Sequence, residues 1–195
     1  PYEMWSMDKI KPDTGALEKW TSEYTGPYVL SCKLDGVSGL YTTEGGVPKL
    51  YTRGNGRVGQ DVSHLIPYLR LPGAKGEGPV VIRGEFIVAK AAFQEHFAAK
   101  FANPRNFVAG LINQKKIEPK KLSHLKFVAY ELIVPEGLVP SQQLGKMQGM
   151  DVDVVYWAPA KTVSNELLSE LLVAWRTDYD YEIDGVICAD DKVYP

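Results

Sequence analysis

The chain has 195 residues, 45% of them hydrophobic, enough for one well-packed domain and too few for two large ones. Its formal net charge of -2 excludes a generally basic nucleic-acid coat, although a local basic patch fits within that balance. No apolar run approaches the roughly 18 residues that cross a bilayer, and no charged-then-hydrophobic signal opens the chain. Cys32 and Cys188 lack metal-ligand spacing and read as buried thiols of a reducing compartment. The expectation is an intracellular, cytoplasmic chain with no membrane partner. Because it starts at Pro1 and stops at Pro195 directly after a strand pattern, it reads as one domain, 1–195, cut from a longer protein.

In chain order, Pro12-Asp13-Thr14-Gly15 suits a turn or cap before a short helix at Ala16–Trp20. From Tyr28 to Thr52 the pattern predicts an antiparallel meander: strands at Tyr28–Lys33, Ser38–Thr42 and Lys49–Thr52, with hairpin turns at Asp35-Gly36 and Glu44-Gly45-Gly46. The glycines of Arg53-Gly54-Asn55-Gly56-Arg57-Val58-Gly59 permit close backbone approach to a ligand. A strand follows at Val80–Val88, broken by Gly84-Glu85, then an amphipathic helix at Ala89–Phe101 and a second helix at Asn106–Asn113. Leu125–Val134 is strand-like, Ser141–Gly149 helical, Val152–Trp157 a strand, and Leu167–Tyr179 a helix capped by Ser164 or Asn165. The last strand, Tyr181–Ala189, again carries an acid inside an apolar run.

Several strands thus each place one polar group at a break in apolar sequence: Lys33, Glu85 and Asp184, with Arg53 on the glycine loop and Arg105 in Asn103-Pro104-Arg105-Asn106. Charges are seldom buried without partners, so their recurrence suggests one shared cleft. Taken singly, each has a plainer reading. Lys33-Leu34-Asp35-Gly36 suits a surface strand ending in a hairpin, Glu85 a partner of Arg83, Arg53 an exposed hairpin arginine, and Arg105 a helix cap. Tyr130 reads as core and Asp184 as a turn residue on the same terms. His64, His96 and His124 share no metal-site pattern. Lys115, Lys116, Lys120 and Lys121 read either as a phosphate grip or as a solvated face.

Five blocks resemble the NAD-dependent DNA ligases in order and approximate spacing: Lys33-Leu34-Asp35-Gly36; Thr52-Arg53-Gly54-Asn55-Gly56 with Gly59-Gln60-Asp61; Arg83-Gly84-Glu85; Phe101-Ala102-Asn103-Pro104-Arg105-Asn106; and Asp184-Gly185-Val186. The resemblance starts at Ser6-Met7-Asp8 and covers the adenylation domain. It implies an α+β fold of antiparallel sheets with peripheral helices, the covalent nucleotidyltransferase fold (ATP-grasp-like, as in DNA ligase catalytic domains), with the cleft between the sheets. It implies that Lys33 attacks the adenylyl phosphorus of NAD and releases nicotinamide mononucleotide, and that the AMP then passes to the 5′-phosphate of nicked duplex DNA. It also implies that Asp35 holds the lysine's orientation, Glu85 the ribose, Arg53 and Arg105 the phosphates, and Asp184 a Mg²⁺ ion. Tyr130 and Ile187 would stack on the adenine, while Ser6, Met7, Ser31 and Leu34 line the nucleotide groove. Further ligase domains, an oligonucleotide-binding domain among them, are expected in a full-length chain.

Two positions depart from the family pattern. Ser31 stands where the family has glutamate two residues before the lysine, and Ala189 where it has a lysine five residues after the aspartate. Lys192 reaches that place only if the chain turns at Asp190-Asp191. The departures keep two alternatives in view: an ATP-dependent nucleotidyltransferase, and a non-catalytic nucleotide- or DNA-binding remnant.

Overall fold

The computed structural model describes residues 16–53, 59–73, 78–114 and 116–193. The predicted cap at Pro12–Gly15, Ser6, Met7, Lys115 and most of the glycine loop lie outside them.

Two sheets carry the architecture. A five-stranded sheet has the order β3 (Lys49–Thr52), β2 (Val37–Thr42), β4 (Val81–Val88), β5 (Leu125–Val134), β6 (Asp153–Val154). A three-stranded sheet places β1 (Tyr28–Leu34) between β7 (Trp157–Ala160) and β8 (Ile183–Asp190). All pairings are antiparallel except β5 with β6, so the α+β expectation holds with one parallel edge.

The predicted meander is half right. β2 and β3 form a hairpin, but β1 pairs with β7 and β8 and not with β2. Asp35-Gly36 is therefore a crossover from one sheet to the other. Local sequence cannot distinguish the two, because a tight Asp-Gly turn serves a crossover as well as a hairpin. Two other elements divide. The expected Val152–Trp157 strand splits into β6 and β7, one in each sheet, and the expected Ala89–Phe101 helix ends early as α2 (Lys90–His96).

The sheets meet where β4 ends and β8 begins. Ala89 bridges to Tyr181, the Lys90 N–H donates to the Asp180 carbonyl at 2.8 Å, and the Asp35 N–H donates to the Glu182 carbonyl at 3.1 Å. A common core of Val29, Cys32, Leu34, Phe86, Ile87, Phe107, Phe127 and Met147 binds both sheets to the helices. Helix α3 (Pro104–Asn113) buries Phe107, Val108, Leu111 and Ile112 and starts firmly: the Asn103 side chain accepts the Asn106 N–H at 2.8 Å, and Pro104 fills the first turn. That start fixes where Arg105 stands. Of the remaining helices, α1 (Ala16–Glu23), α4 (Pro119–Leu122), α5 (Pro140–Gln148) and α6 (Asn165–Asp178), the last is capped by Ser164, as expected. Among the described residues no helix is long and apolar enough to cross a membrane.

Candidate active site

Strand β1 delivers Lys33 from a buried run, Tyr28 to Cys32, to a half-open position facing Gly185 of β8. The register then slips: Lys33 pairs with Gly185 and Leu34 with Ile183, leaving Asp184 as the extra residue. A bulge of this kind re-aims a side chain, and Asp184 Oδ2 lies 3.8 Å from Lys33 Nζ. The same device recurs on the facing sheet. Arg83 pairs with Glu131 and Gly84 with Ala129, so Tyr130 is the unpaired residue of β5. A third slip, at Ile133, serves a small apolar cluster with Leu40 and Val81.

Around Tyr130 the polar groups converge. Glu85 pairs with Ser38 across β4 and β2, and the Ser38 hydroxyl donates to Glu85 Oε2 at 3.3 Å. The Gly36 N–H lies toward the Glu85 carboxyl, and the Tyr130 phenol lies beside Ser38. Arg105 Nη1 sits 3.9 Å from Asp35 Oδ1, and both groups act on Glu85. Arg53 is held by its N–H, which donates to the Ser38 carbonyl at 3.0 Å. Arg83, the plainer partner for Glu85, instead faces Glu131 at 3.7 Å.

Lys33, Asp35, Arg53, Glu85, Arg105, Tyr130 and Asp184 thus lie around the junction of the two sheets. In the three-stranded sheet Ser31 is flanked in register by Trp157 of β7 and Ile187 of β8, which puts all three on the face of Lys33. Leu34 does not join them; it is buried in the core. Lys192 is also elsewhere. Its amine lies 3.3 Å from the Thr25 hydroxyl and 3.7 Å from Asp190, at the Tyr28 end of β1, about 17 Å along the strand from Lys33. Ala189 pairs with the buried Val29. No described lysine of β8 therefore takes the missing position. Ser38 and Trp157 were not singled out from sequence. Both depend on long-range pairings, Ser38 on that of β2 with β4 and Trp157 on that of β1 with β7.

Burial gives Glu85 its character. Loss of hydration is the largest influence and outweighs the hydrogen bonds from Ser38 and Gly36, so the carboxyl is pushed up from 4.5 to about 7. Burial also pushes the Tyr130 phenol up to about 12, keeping it neutral. Because Glu85 titrates higher when folded, the native chain holds the extra proton between about pH 4.5 and about pH 7. Stability falls as pH rises through that window, by roughly 3 kcal/mol once the group is fully ionised. Glu85→Gln should remove this loss. Thermal unfolding is expected to show the variant gaining on the parent between about pH 5 and about pH 8, and an unchanged difference would contradict the assignment.

Among the described residues no group of three His, Cys, Asp or Glu side chains gathers for a metal ion. Magnesium needs no such cage, since it is commonly held by one or two carboxylates together with waters and substrate phosphates. The half-exposed Asp184 beside Lys33 fits that donor set. Space fits as well, because a Cβ built on Gly185 would meet nothing within 4 Å. A separate cleft of about 290 Å³ lined by Arg70, Asp153, Tyr179 and Tyr181 offers less chemistry, because Arg70 is held by Asp151 and Asp153 at 2.8 and 2.9 Å.

In fold, this is a nucleotidyltransferase domain of the DNA-ligase type. It superposes on a Lig E DNA ligase with a TM-score of 0.57 at 18% identity, covering 87% of this chain and 57% of that one. The ligase domain of LigD from M. tuberculosis gives 0.55 at 17% identity, covering 87% and 50%. The model of the NAD-dependent DNA ligase adenylation domain matches residues 2–194, and the chain belongs to that family. A DNA ligase of Acanthamoeba polyphaga mimivirus is 38% identical over 98% of this chain and 31% of its own length. A DNA ligase of Leuconostoc mesenteroides is 28% identical over 95% and 29%. The chain therefore spans about a third of the curated relatives it matches.

Proposed function

We propose that this chain is the self-adenylating part of a ligase that seals nicked duplex DNA, with Lys33 as its nucleophile and NAD as the adenylyl donor. One observation carries the reading: a lysine brought by a buried strand to a half-open edge, 3.8 Å from a carboxylate and opposite a glycine that leaves the space before it empty.

Lys33 attacks as the neutral amine, so its proton must leave; Asp184 orients the ammonium and is placed to pass that proton to solvent. The amine nitrogen then bonds the α-phosphorus. The bond from that phosphorus to the bridging oxygen breaks, and the electron pair leaves on the phosphate of nicotinamide mononucleotide. Arg53 and Arg105 offset charge on the phosphates. Glu85 accepts from the ribose hydroxyls, Asp35 anchors Arg105, and Tyr130 and Ile187 enclose the adenine with Ser31 at its edge. Magnesium held by Asp184 would supply further charge compensation at the phosphate. In the whole ligase the AMP moves to a DNA 5′-phosphate, and the adjoining 3′-hydroxyl displaces it. Binding of the nick and the oligonucleotide-binding and other domains belong to that longer protein.

The test is a donor comparison. Incubated with adenylate-labelled NAD and Mg²⁺, the chain is expected to carry covalent label, and ATP at the same concentration is expected to give at least about tenfold less. Labelling by ATP instead would make it an ATP-dependent enzyme. AMP binding without any adduct would make it a non-catalytic module.

A further inference from the structure

Three residues assigned to the nucleotide meet at one serine that no motif contains. Ser38 faces Glu85 in the ladder and donates to its carboxyl at 3.3 Å, lies beside the Tyr130 phenol, and through its carbonyl holds the Arg53 N–H at 3.0 Å. A hydroxyl has one proton and two lone pairs. That proton goes to Glu85, and the Tyr130 phenol lies beside the same hydroxyl.

We propose that Ser38 is a positioning residue of the nucleotide site, locking the group that meets the ribose and the ring that meets the base into one unit. The proposal rests on the functional reading above. Tyr130 is a bulge residue released from the ladder and needs an anchor, and Glu85 is a buried acid with one acceptor oxygen directed at Ser38. Losing the serine therefore frees the Glu85 carboxyl and takes away the polar neighbour of the Tyr130 ring. The other charged groups around the three are Asp35 and Arg105 toward Glu85, and Arg83 and Glu131 toward Tyr130.

An ionised Glu85 is the better acceptor for ribose hydroxyls, so use of NAD should tighten as pH rises through about 7. Ser38 donates to the charged form, and removing it should move that midpoint to higher pH.

The experiment measures adduct formation on this chain against NAD concentration and pH. At neutral pH Ser38→Ala is expected to need about tenfold more NAD for the half-maximal rate, with a smaller change in the limiting rate and an alkaline shift of the midpoint. Ser38→Thr, which keeps the hydroxyl, should restore both. An unchanged NAD requirement and midpoint in Ser38→Ala, or a loss that threonine does not restore, would overturn the proposal. If the parent chain takes no adenylyl group from NAD, the functional reading fails on its own. The Glu85 carboxyl is then titrated by ¹³C NMR: an upward move in Ser38→Ala supports the coupling, and no move overturns it.

Discussion

Lys33→Ala is expected to yield a folded chain that acquires no adenylyl group from NAD, with adduct formation reduced by at least about a thousandfold. Folding should survive. The Lys33 side chain is 27% exposed and that of Asp184 46%, so their ion pair at 3.8 Å is solvent-screened and contributes within about 1 kcal/mol. Lys33→Arg separates charge from chemistry. A guanidinium can still face Asp184, but it stays protonated and cannot attack phosphorus. Both variants should therefore unfold near the parent temperature while neither is labelled. Measurable labelling of the arginine variant would place the nucleophile elsewhere.

Gly36→Ala is expected to have the largest effect on stability of any motif substitution, about 3 kcal/mol or more. A Cβ at Gly36 would collide with the Phe86 carbonyl oxygen and stand 3.1 Å from Glu85 Cγ. The first neighbour is backbone of a central strand and has nowhere to go. Moving the crossover away instead would strip Glu85 of the Gly36 N–H and disturb the Val37–Phe86 pairing. The glycine of the other Asp-Gly pair is the control. A Cβ at Gly185 meets nothing within 4 Å, so Gly185→Ala should unfold within about 0.5 kcal/mol of the parent. Its methyl would instead occupy the space before Lys33 and slow adenylation. Chemical denaturation and adduct formation together check the pair: one glycine is needed by the fold, the other by the ligand. Equal stability loss in both variants would refute this division.

Much of the site was legible because its motifs are local. A lysine after an apolar run, an acid inside a strand at Glu85 and a capped Asn-Pro-Arg segment each announce themselves within a few residues. The α+β class and most strands followed from alternation in the same way. What escaped depends on partners distant in sequence. Strand alternation does not say that β1 chooses β7 and β8 over β2, nor that Val152–Trp157 divides between two sheets. The bulges that single out Asp184 and Tyr130 arise from register mismatches with Lys33–Leu34 and Arg83–Gly84, which neither strand reveals alone. Ser38 became visible only when β2 met β4. Lys192, which seemed able to stand in for the absent lysine, is excluded by where β8 ends: Asp190 pairs with Tyr28, and the Lys192 amine is held there by Thr25 and Asp190.

These long-range choices also explain the electrostatics. The crossover at Asp35-Gly36 carries the chain from the nucleophile directly to the strand facing Glu85, so two residues join the reacting end of the site to its binding end. Arg105, fixed by the capped start of α3, approaches Asp35 from outside. The buried Glu85 is thereby bordered by one cation, one carboxylate and two hydrogen-bond donors.

The most direct test of the central claim is intact-mass analysis of the chain after incubation with NAD and Mg²⁺, followed by peptide mapping of any adduct. One adenylyl group on Lys33, absent from Lys33→Ala, is the predicted result. No adduct at any NAD concentration, or an adduct that persists in Lys33→Ala, would contradict it.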